Sequence, residues 1–121
     1  MSDNPNVAER TPETPARLEE LGARLLDEAR SHGNGRSALT LTPSEGGPLK
    51  QTLLAIQAGS DLQEHPAPGP SSLLVLSGSG TISSRDGEVT LDAGCWAPVP
   101  MEPHRVHADE DLVALLTVTI T

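Results

Sequence analysis

Two histidines that lie far apart in the chain, His65 and His104, are the residues of this 121-residue sequence best suited to do chemistry. Imidazole can ligate a transition metal, transfer a proton near neutral pH or orient a polar ligand. Each histidine lies in a short segment next to a proline-containing turn: DLQEH precedes PAPGP, and HRVHA follows PMEP. The first question is therefore whether the fold brings the two imidazoles to one site.

A third ligand decides between a metal site and a metal-free pocket, because catalytic sites usually hold a metal through three protein side chains. Alternation along a strand predicts that Asp61 and Gln63 share the face of His65. Asp61 is ~13 Å from His65 along an extended strand, which is too far for a shared ion. Gln63 is closer but is a poor ligand. Glu102 could fold inward from the turn near His104.

The remaining reactive side chains receive structural interpretations. Alternation puts His107 on the face opposite to His104, which predicts a solvated surface histidine. His32 follows the predicted helix and can interact favourably with its C-terminus. Cys95 is predicted to be a small buried hydrophobic residue, and Trp96 to pack in the core or at a dimer interface.

One helix and a series of short strands must position these residues. The segment TPARLEELGARLLDEARSHGNG predicts a helix over residues 14–34, with Thr14 as N-cap and Pro15 at the first helical position. From Arg36 the hydrophobic period changes to two, and candidate strands follow, separated by turn signals such as PSEGGP, PAPGP and RDG. Many short strands without intervening helices predict an all-β antiparallel sandwich or barrel.

The chain length suits one domain, which we divide into three regions. Residues 1–13 are polar, contain two prolines and show no period, and we expect a flexible tail. Residues 14–34 form the predicted helix. Residues 35–121 form the predicted β-barrel domain.

Charge and composition argue against several classes of function. The chain has 17 acidic and 8 basic residues, a net charge of −9, and a single aromatic residue. This composition argues against binding to nucleic acid or to an anionic membrane surface. A single cysteine excludes an intrachain disulfide. We expect a soluble cytoplasmic protein, because no segment resembles a signal peptide or a membrane span.

Two blocks of the sequence resemble the two motifs of the cupin superfamily. The stretch from Gly59 through His65 to the VLSG that ends at Gly78 is similar to the first motif, and LDAGCWAPVPMEPHRV, with Gly94 and His104, is similar to the second. The resemblance covers roughly residues 49–118. It implies a small single-domain, RmlC-like cupin: a jelly-roll β-barrel preceded by one α-helix. It also implies a homodimer, which would cover exposed strand edges.

The resemblance also implies a depleted metal site. The second histidine and the glutamate of the first motif are replaced by Ala67 and Ser71, and the asparagine of the second motif is replaced by Ala108. Of the four usual ligands only His65 and His104 remain. Two imidazoles alone would hold a divalent ion such as Fe, Mn, Ni or Zn weakly.

Three functional hypotheses remain open, and they leave open whether the protein is an enzyme. The first is a small-molecule-binding cupin whose pocket, lined by His65, His104, Gln63 and Ala67, takes a fairly apolar organic molecule. The second is a metal-dependent oxygenase or isomerase that uses His65 and His104 as ligands. The third is a structural or regulatory dimer with a vestigial pocket. The missing ligands at Ala67 and Ser71 favour the first.

Overall fold

The computed structural model describes residues 12–42, 47–65 and 69–119, and for residues 63–65 it describes the backbone alone. The predicted tail therefore lies almost entirely outside the described residues. Ala67, predicted to line the pocket, lies outside them as well. Within the described residues, one helix is followed by nine strands: α1 (Leu18–Ser31), β1 (Arg36–Thr40), β2 (Leu49–Ile56), β3 (Asp61–His65), β4 (Ser71–Ser77), β5 (Ser79–Ser84), β6 (Gly87–Asp92), β7 (Trp96–Pro98), β8 (His104–Ala108) and β9 (Leu112–Thr119).

The strands form two antiparallel sheets that face each other. The first sheet has five strands in the order β1-β2-β9-β4-β7, and the second has four in the order β3-β8-β5-β6. Successive strands from β2 to β5 alternate between the sheets, so the chain crosses repeatedly from one layer to the other. This arrangement confirms the predicted antiparallel jelly-roll fold.

The main core lies between the two sheets. Alternate residues of each strand point inward, and their apolar side chains are buried against the opposite sheet. The buried members of this core are Leu54, Ile56, Leu73, Val75, Ile82, Leu91, Ala97, Val99, Val106, Ala108, Leu112 and Ala114. Leucine, valine, isoleucine and alanine thus fill an interior that contains no phenylalanine, tyrosine or tryptophan among the described residues.

The helix covers part of the outer face of the five-stranded sheet. Leu25 of α1 packs with Leu39, Leu53 and Val113 in a second buried cluster over β1, β2 and β9. No helix in the described residues is long and apolar enough to cross a membrane.

The N-cap prediction was wrong. The helix begins at Leu18, and the first helical hydrogen bond runs from the Leu21 N–H to the Arg17 carbonyl, so Thr14 lies before the helix. Helix formation depends mainly on packing of the apolar face, and the apolar stripe of this helix begins at Leu18.

Gly78 divides one predicted strand into two. The run SLLVLSGSGTISS becomes β4 in the first sheet and β5 in the second. Gly78 has φ +78°, and a Cβ at this position would lie 1.9 Å from the Asp111 carbonyl oxygen. Only glycine combines this backbone conformation with such a close approach, so the residue fixes the crossing between the sheets.

The C-terminal end of α1 is joined to the barrel through Asp111. Nη2 of Arg30 donates to Asp111 Oδ2 at 2.6 Å, and the Ala58 N–H donates to Asp111 Oδ1 at 2.9 Å. The backbone hydrogen bond from Ala58, followed by that from Arg30, lowers the pKa of Asp111 below its ordinary value. One carboxylate therefore links the helix to the loop after β2 and to the start of β9.

Candidate binding site at the mouth of the barrel

His104 is a buried polar residue at the start of β8. Its relative exposure is 4%, and it shares the inner face of the strand with Val106 and Ala108, whereas Arg105 is exposed. Nδ1 of His104 lies 3.0 Å from the Glu102 carbonyl oxygen. A carbonyl can only accept, so Nδ1 carries the proton and the lone pair of the neutral ring is on Nε2.

This backbone hydrogen bond fixes both the tautomer and the orientation of the ring. Histidines that ligate metals are commonly held in this way through the nitrogen that does not bind the metal. An imidazole held in this orientation can also contact a polar group of a small molecule. The geometry of His104 therefore suits either role.

The carboxyl of Glu102 is the second unusual feature of this turn. Its Oε2 atom is buried and has no hydrogen-bond partner among the described residues. A buried carboxylate oxygen without a partner is costly, by roughly 1–3 kcal/mol or more. The atom thus marks a position for a proton, a cation or a donor group on a ligand.

Strand pairing brings the two sequence-predicted histidines to neighbouring positions. β3 ends at His65, and its register pairs His65 directly with His104 on β8. Cα atoms of directly opposed residues in an antiparallel pair are about 4.5–5.5 Å apart. The fold therefore joins the two positions, although 38 residues separate them in the sequence.

A bulge in β3 changes the face on which Asp61 lies. Leu62 pairs with Val106 and His65 pairs with His104, so three steps along β3 correspond to two along β8. The extra residue breaks the regular alternation. Asp61 consequently pairs with His107 and lies on the outer face. The prediction that Asp61 shares the face of His65 assumed an unbroken strand, whereas the bulged strand places Asp61 on the face opposite to His104.

On the outer face of the second sheet, Asp61 lies between His107 and Arg105. Nδ1–H of His107 donates to Asp61 Oδ1, and Asp61 Oδ2 lies 3.8 Å from Nε of Arg105. His107 lies on the surface side of β8, as alternation predicts, but its ring is half-buried. Asp61 therefore makes its contacts on the outside of the barrel, away from His104.

Inward-facing polar residues mark the end of the barrel where His104 lies. The Val99 N–H donates to the Ser71 carbonyl at 2.9 Å, so the chain passes the start of β4 just before the turn that leads to His104. The register places four polar residues on the inner faces at this end: Lys50, Thr52, Ser71 and Ser84. Ser71 was named from the sequence only as the replacement of a metal ligand, and the other three were not predicted, although the alternation of Lys50 and Thr52 with buried Leu54 and Ile56 could have revealed two of them.

Cys95 and Trp96 are both exposed, so the predicted burial of Cys95 and the core alternative for Trp96 were wrong, whereas the dimer-interface alternative for Trp96 stays a prediction. Cys95 is a free thiol in the turn before β7, where its N–H donates to the Asp92 carbonyl. Trp96 lies on the outer side of the edge strand with 60% exposure, so it is not a core residue. Both residues lie at the β7 edge of the first sheet, and no further strand among the described residues covers them.

No metal cluster is present among the side chains that the structure describes. No three histidine, cysteine, aspartate or glutamate side chains in this set lie close enough to hold an ion. Two surface grooves, of about 550 and 430 Å³, flank α1, and neither His104 nor Glu102 lines them.

Solved structures confirm the cupin fold. A cupin superfamily protein from Desulfitobacterium hafniense superimposes with a TM-score of 0.71 at 17% identity, and the match covers 95% of this chain and 99% of that chain. An RmlC-like cupin from Shewanella frigidimarina gives a TM-score of 0.64 at 16% identity, over 74% of this chain and 79% of that chain. At these identities the likeness establishes the fold alone.

An enzyme shares the same fold. Salicylate 1,2-dioxygenase from Pseudaminobacter salicylatoxidans gives a TM-score of 0.68 at 18% identity, over 82% of this chain but only 33% of the larger protein. No protein-family model and no curated protein matches the sequence. The chain thus has a cupin-type jelly roll whose solved neighbours include both an enzyme and proteins without an assigned activity.

Proposed function

We propose that this protein is a small-molecule-binding cupin whose site lies at the polar mouth of the barrel. The ligand is a small, mainly apolar organic molecule that contacts the Leu, Val and Ala wall and presents one polar group to His104. The buried His104 ring, held through Nδ1 by the Glu102 carbonyl, carries this proposal. A buried imidazole above an apolar wall is typical of small-molecule sites, which combine few polar groups with a mostly apolar lining.

We propose that His65 supplies a second imidazole to the same site. Directly opposed residues of an antiparallel pair lie on the same face of a sheet, and His65 is paired with the inward-facing His104. Gln63 and Ala67, which lie two residues before and after His65, remain proposed lining residues. Two imidazoles at one mouth can orient a hydroxyl or exchange a proton near neutral pH.

A carboxylate on the ligand fits this mouth. Lys50 faces inward there, and its ammonium group complements an anionic group on a small molecule. A related dioxygenase has been solved as an adduct with gentisate, an aromatic hydroxy acid. Salicylate and gentisate are therefore suitable first probes for this chain.

The test is calorimetric titration of salicylate and gentisate into the wild type and His104→Leu. Leucine keeps the site apolar and removes the imidazole. We expect the variant to bind at least about 10-fold more weakly, which corresponds to the loss of about one hydrogen bond. His32→Gln is the matched control, because His32 is exposed at the end of α1. Equal affinity in wild type and His104→Leu would contradict the proposed site.

The second candidate function is a metal-dependent oxygenase or isomerase. Buried Glu102 Oε2, two residues from His104, favours it, because Glu102, His104 and His65 together have the composition of a two-histidine, one-carboxylate site. Such a site would take Fe, Mn, Ni or Zn, and the metal would supply Lewis-acid or oxygen-activating chemistry. His104 and Glu102 are the described residues that would hold it.

Elemental analysis of protein purified without a metal-affinity tag separates the two candidates. The binding-protein proposal predicts clearly substoichiometric Fe, Mn, Ni and Zn in the wild type. Stoichiometric metal that disappears in both His104→Leu and Glu102→Gln, but stays in the exposed control Glu88→Gln, would establish the metalloenzyme instead.

Two further features belong to the proposal. We propose a homodimer, as the fold resemblance implies, and a cytoplasmic location. The exposed free thiol of Cys95 fits a reducing compartment. If the protein forms a dimer but binds neither an organic molecule nor a metal, the third hypothesis remains, namely a structural or regulatory dimer with a vestigial pocket.

A further inference from the structure

We propose that a second copy of this chain packs on the uncovered half of the outer face of the five-stranded sheet, with Trp96 as the anchor. The inference rests on the proposed homodimer and assigns its surface. The face, called here the open face, comprises the outward positions of β2, β9, β4 and β7 that α1 does not cover. The register assigns nine described positions to it: Leu49, Gln51, Ser72, Leu74, Trp96, Pro98, Leu115, Thr117 and Thr119.

The open face is uncharged, although the chain is strongly acidic. None of its nine described positions is Asp, Glu, Lys or Arg, whereas the chain carries 17 acidic and 8 basic residues. Two copies with a net charge of −9 each repel one another at most orientations. They can approach with little like-charge opposition where both present this face. A cationic partner, by contrast, would select the acidic surfaces elsewhere.

Trp96 projects from this face as its largest apolar group. It is 60% exposed, and Leu49 on the same face is 45% exposed. The chain has one tryptophan and neither tyrosine nor phenylalanine, so its only aromatic ring is placed on the surface. Tryptophan is enriched among the residues that carry most of the binding energy at protein interfaces. An exposed ring on an uncharged face therefore points to a protein contact.

An apolar groove borders the open face and can receive the ring. It has a volume of about 430 Å³ and lies between α1 and the ends of β4 and β9; its lining is mostly apolar, with Glu19 on the helix side and Ser77 on the sheet side. Leu76, which lines it, follows the open-face residue Leu74 by two positions on β4. A protruding ring and an apolar groove side by side form a self-complementary surface. A twofold dimer requires this property, since each copy must offer both halves of every contact.

The edge of the sheet favours packing through the face over pairing through the strand. β7 is the edge strand, and Pro98 lacks the N–H that an added strand would need. The Val75 and Val99 backbone N–H groups already pair β4 with this segment. Proline on an edge strand is a common barrier to edge-to-edge association.

Sedimentation velocity over a dilution series tests the proposal. We expect the wild type to sediment at twice the chain mass of 12.6 kDa. Trp96→Ser should raise the dimer Kd by at least about 30-fold, the lower range for loss of a dominant interface residue. Ala23→Glu, which adds a second carboxylate to the groove beside Glu19, should act in the same direction. Val89→Ser is the matched control, since Val89 is 46% exposed on the other sheet and should leave the Kd unchanged.

The fluorescence of the single tryptophan gives an independent readout. Its emission should shift to the red as the wild-type dimer dissociates on dilution. The midpoint of this shift should fall at the same protein concentration as the midpoint measured by sedimentation. A wild type that stays monomeric at about 100 µM would overturn both the homodimer and this surface. The surface alone would be overturned, and the homodimer would stand, if Trp96→Ser and Ala23→Glu both dimerised with the wild-type Kd and both kept the wild-type circular dichroism spectrum.

Discussion

At the scale of single residues, burial of two polar groups in one turn defines the candidate site. His104 is held by the carbonyl of Glu102, and the carboxyl of the same Glu102 has a buried oxygen without a partner among the described residues. One residue thus orients the imidazole through its backbone and offers a second polar group through its side chain. The sequence marked Glu102 only as a turn residue that could fold inward, because the path of a turn residue's side chain is not set by strand alternation.

Asp111 leads to a prediction about pH. The Ala58 N–H and Arg30 lower the pKa of Asp111 in the folded protein, so its carboxylate stabilises the fold above its unfolded pKa of about 3.9. This contribution is lost as the pH falls through the folded pKa. Asp111→Asn should lower the free energy of unfolding by about 1 kcal/mol at pH 7, a discounted value because the side chain is 37% exposed.

Urea unfolding of wild type and Asp111→Asn across pH measures this effect. The difference between the two proteins should begin to shrink near pH 4, the unfolded pKa of the carboxyl, and should vanish once the pH has fallen through the lowered folded pKa of Asp111. Asp27→Asn is the control, because the Asp27 side chain is 79% exposed and contacts Arg30 only within α1. A difference between wild type and Asp111→Asn that persists unchanged at the acid end would show that charge is not its cause.

At the scale of elements, alternation predicted the strands well and their faces less well. DLQEH and HRVHA coincide with β3 and β8, because their apolar–polar alternation matches a strand with one buried face. The bulge inside β3 has no comparable signal, since no glycine or proline marks it. It moved Asp61 to the outer face. That positions 65 and 104 come close could be predicted from the order of the two motifs, whereas the face on which Asp61 lies depends on the register.

Gly78 leads to a prediction about the connection between the sheets. Gly78→Ala places a Cβ in a left-handed conformation and against the Asp111 carbonyl, and neither β4 nor β9 can move away cheaply. We expect a loss of about 3 kcal/mol in the free energy of unfolding, from conformational strain and steric overlap together.

Gly59→Ala separates these two causes. Gly59 has φ +87°, but a Cβ there meets no atom within 4 Å, so this variant should lose only about 1–2 kcal/mol. Urea midpoints of both variants give the comparison. Equal losses in Gly78→Ala and Gly59→Ala would mean that the approach of Asp111 is unimportant.

At the scale of the whole molecule, the sequence predicted the architecture because patterning acts over the entire chain. The change from a helical period to a period of two, together with two motif-like blocks, was enough for a jelly roll preceded by a helix. The pattern of the sequence did not predict which apolar residues are exposed. Cysteine and tryptophan are residue types that are often buried, but Cys95 and Trp96 are exposed because they lie at the start of β7, which is an edge strand. Edge position is a property of the assembled sheet.

The proposed ligand site and the proposed dimer surface lie in different parts of the molecule. The polar mouth and the open face belong to different parts of the barrel, since the mouth lies between the sheets and the open face lies outside one of them. Ligand binding and dimerisation should therefore be separable. We expect Trp96→Ser to weaken the dimer without changing salicylate affinity by more than about twofold, within normal additivity for distant sites.

The most direct test of the central claim is ¹⁵N NMR of the histidine side chains during a screen of small aromatic acids and phenols, salicylate and gentisate included. The account predicts that His104 is the Nδ1–H tautomer and that the bound compounds shift its Nε2 signal, with His32 unchanged. If the bound compounds leave the His104 signals unchanged, or if the ring carries its proton on Nε2, the proposed binding site is wrong.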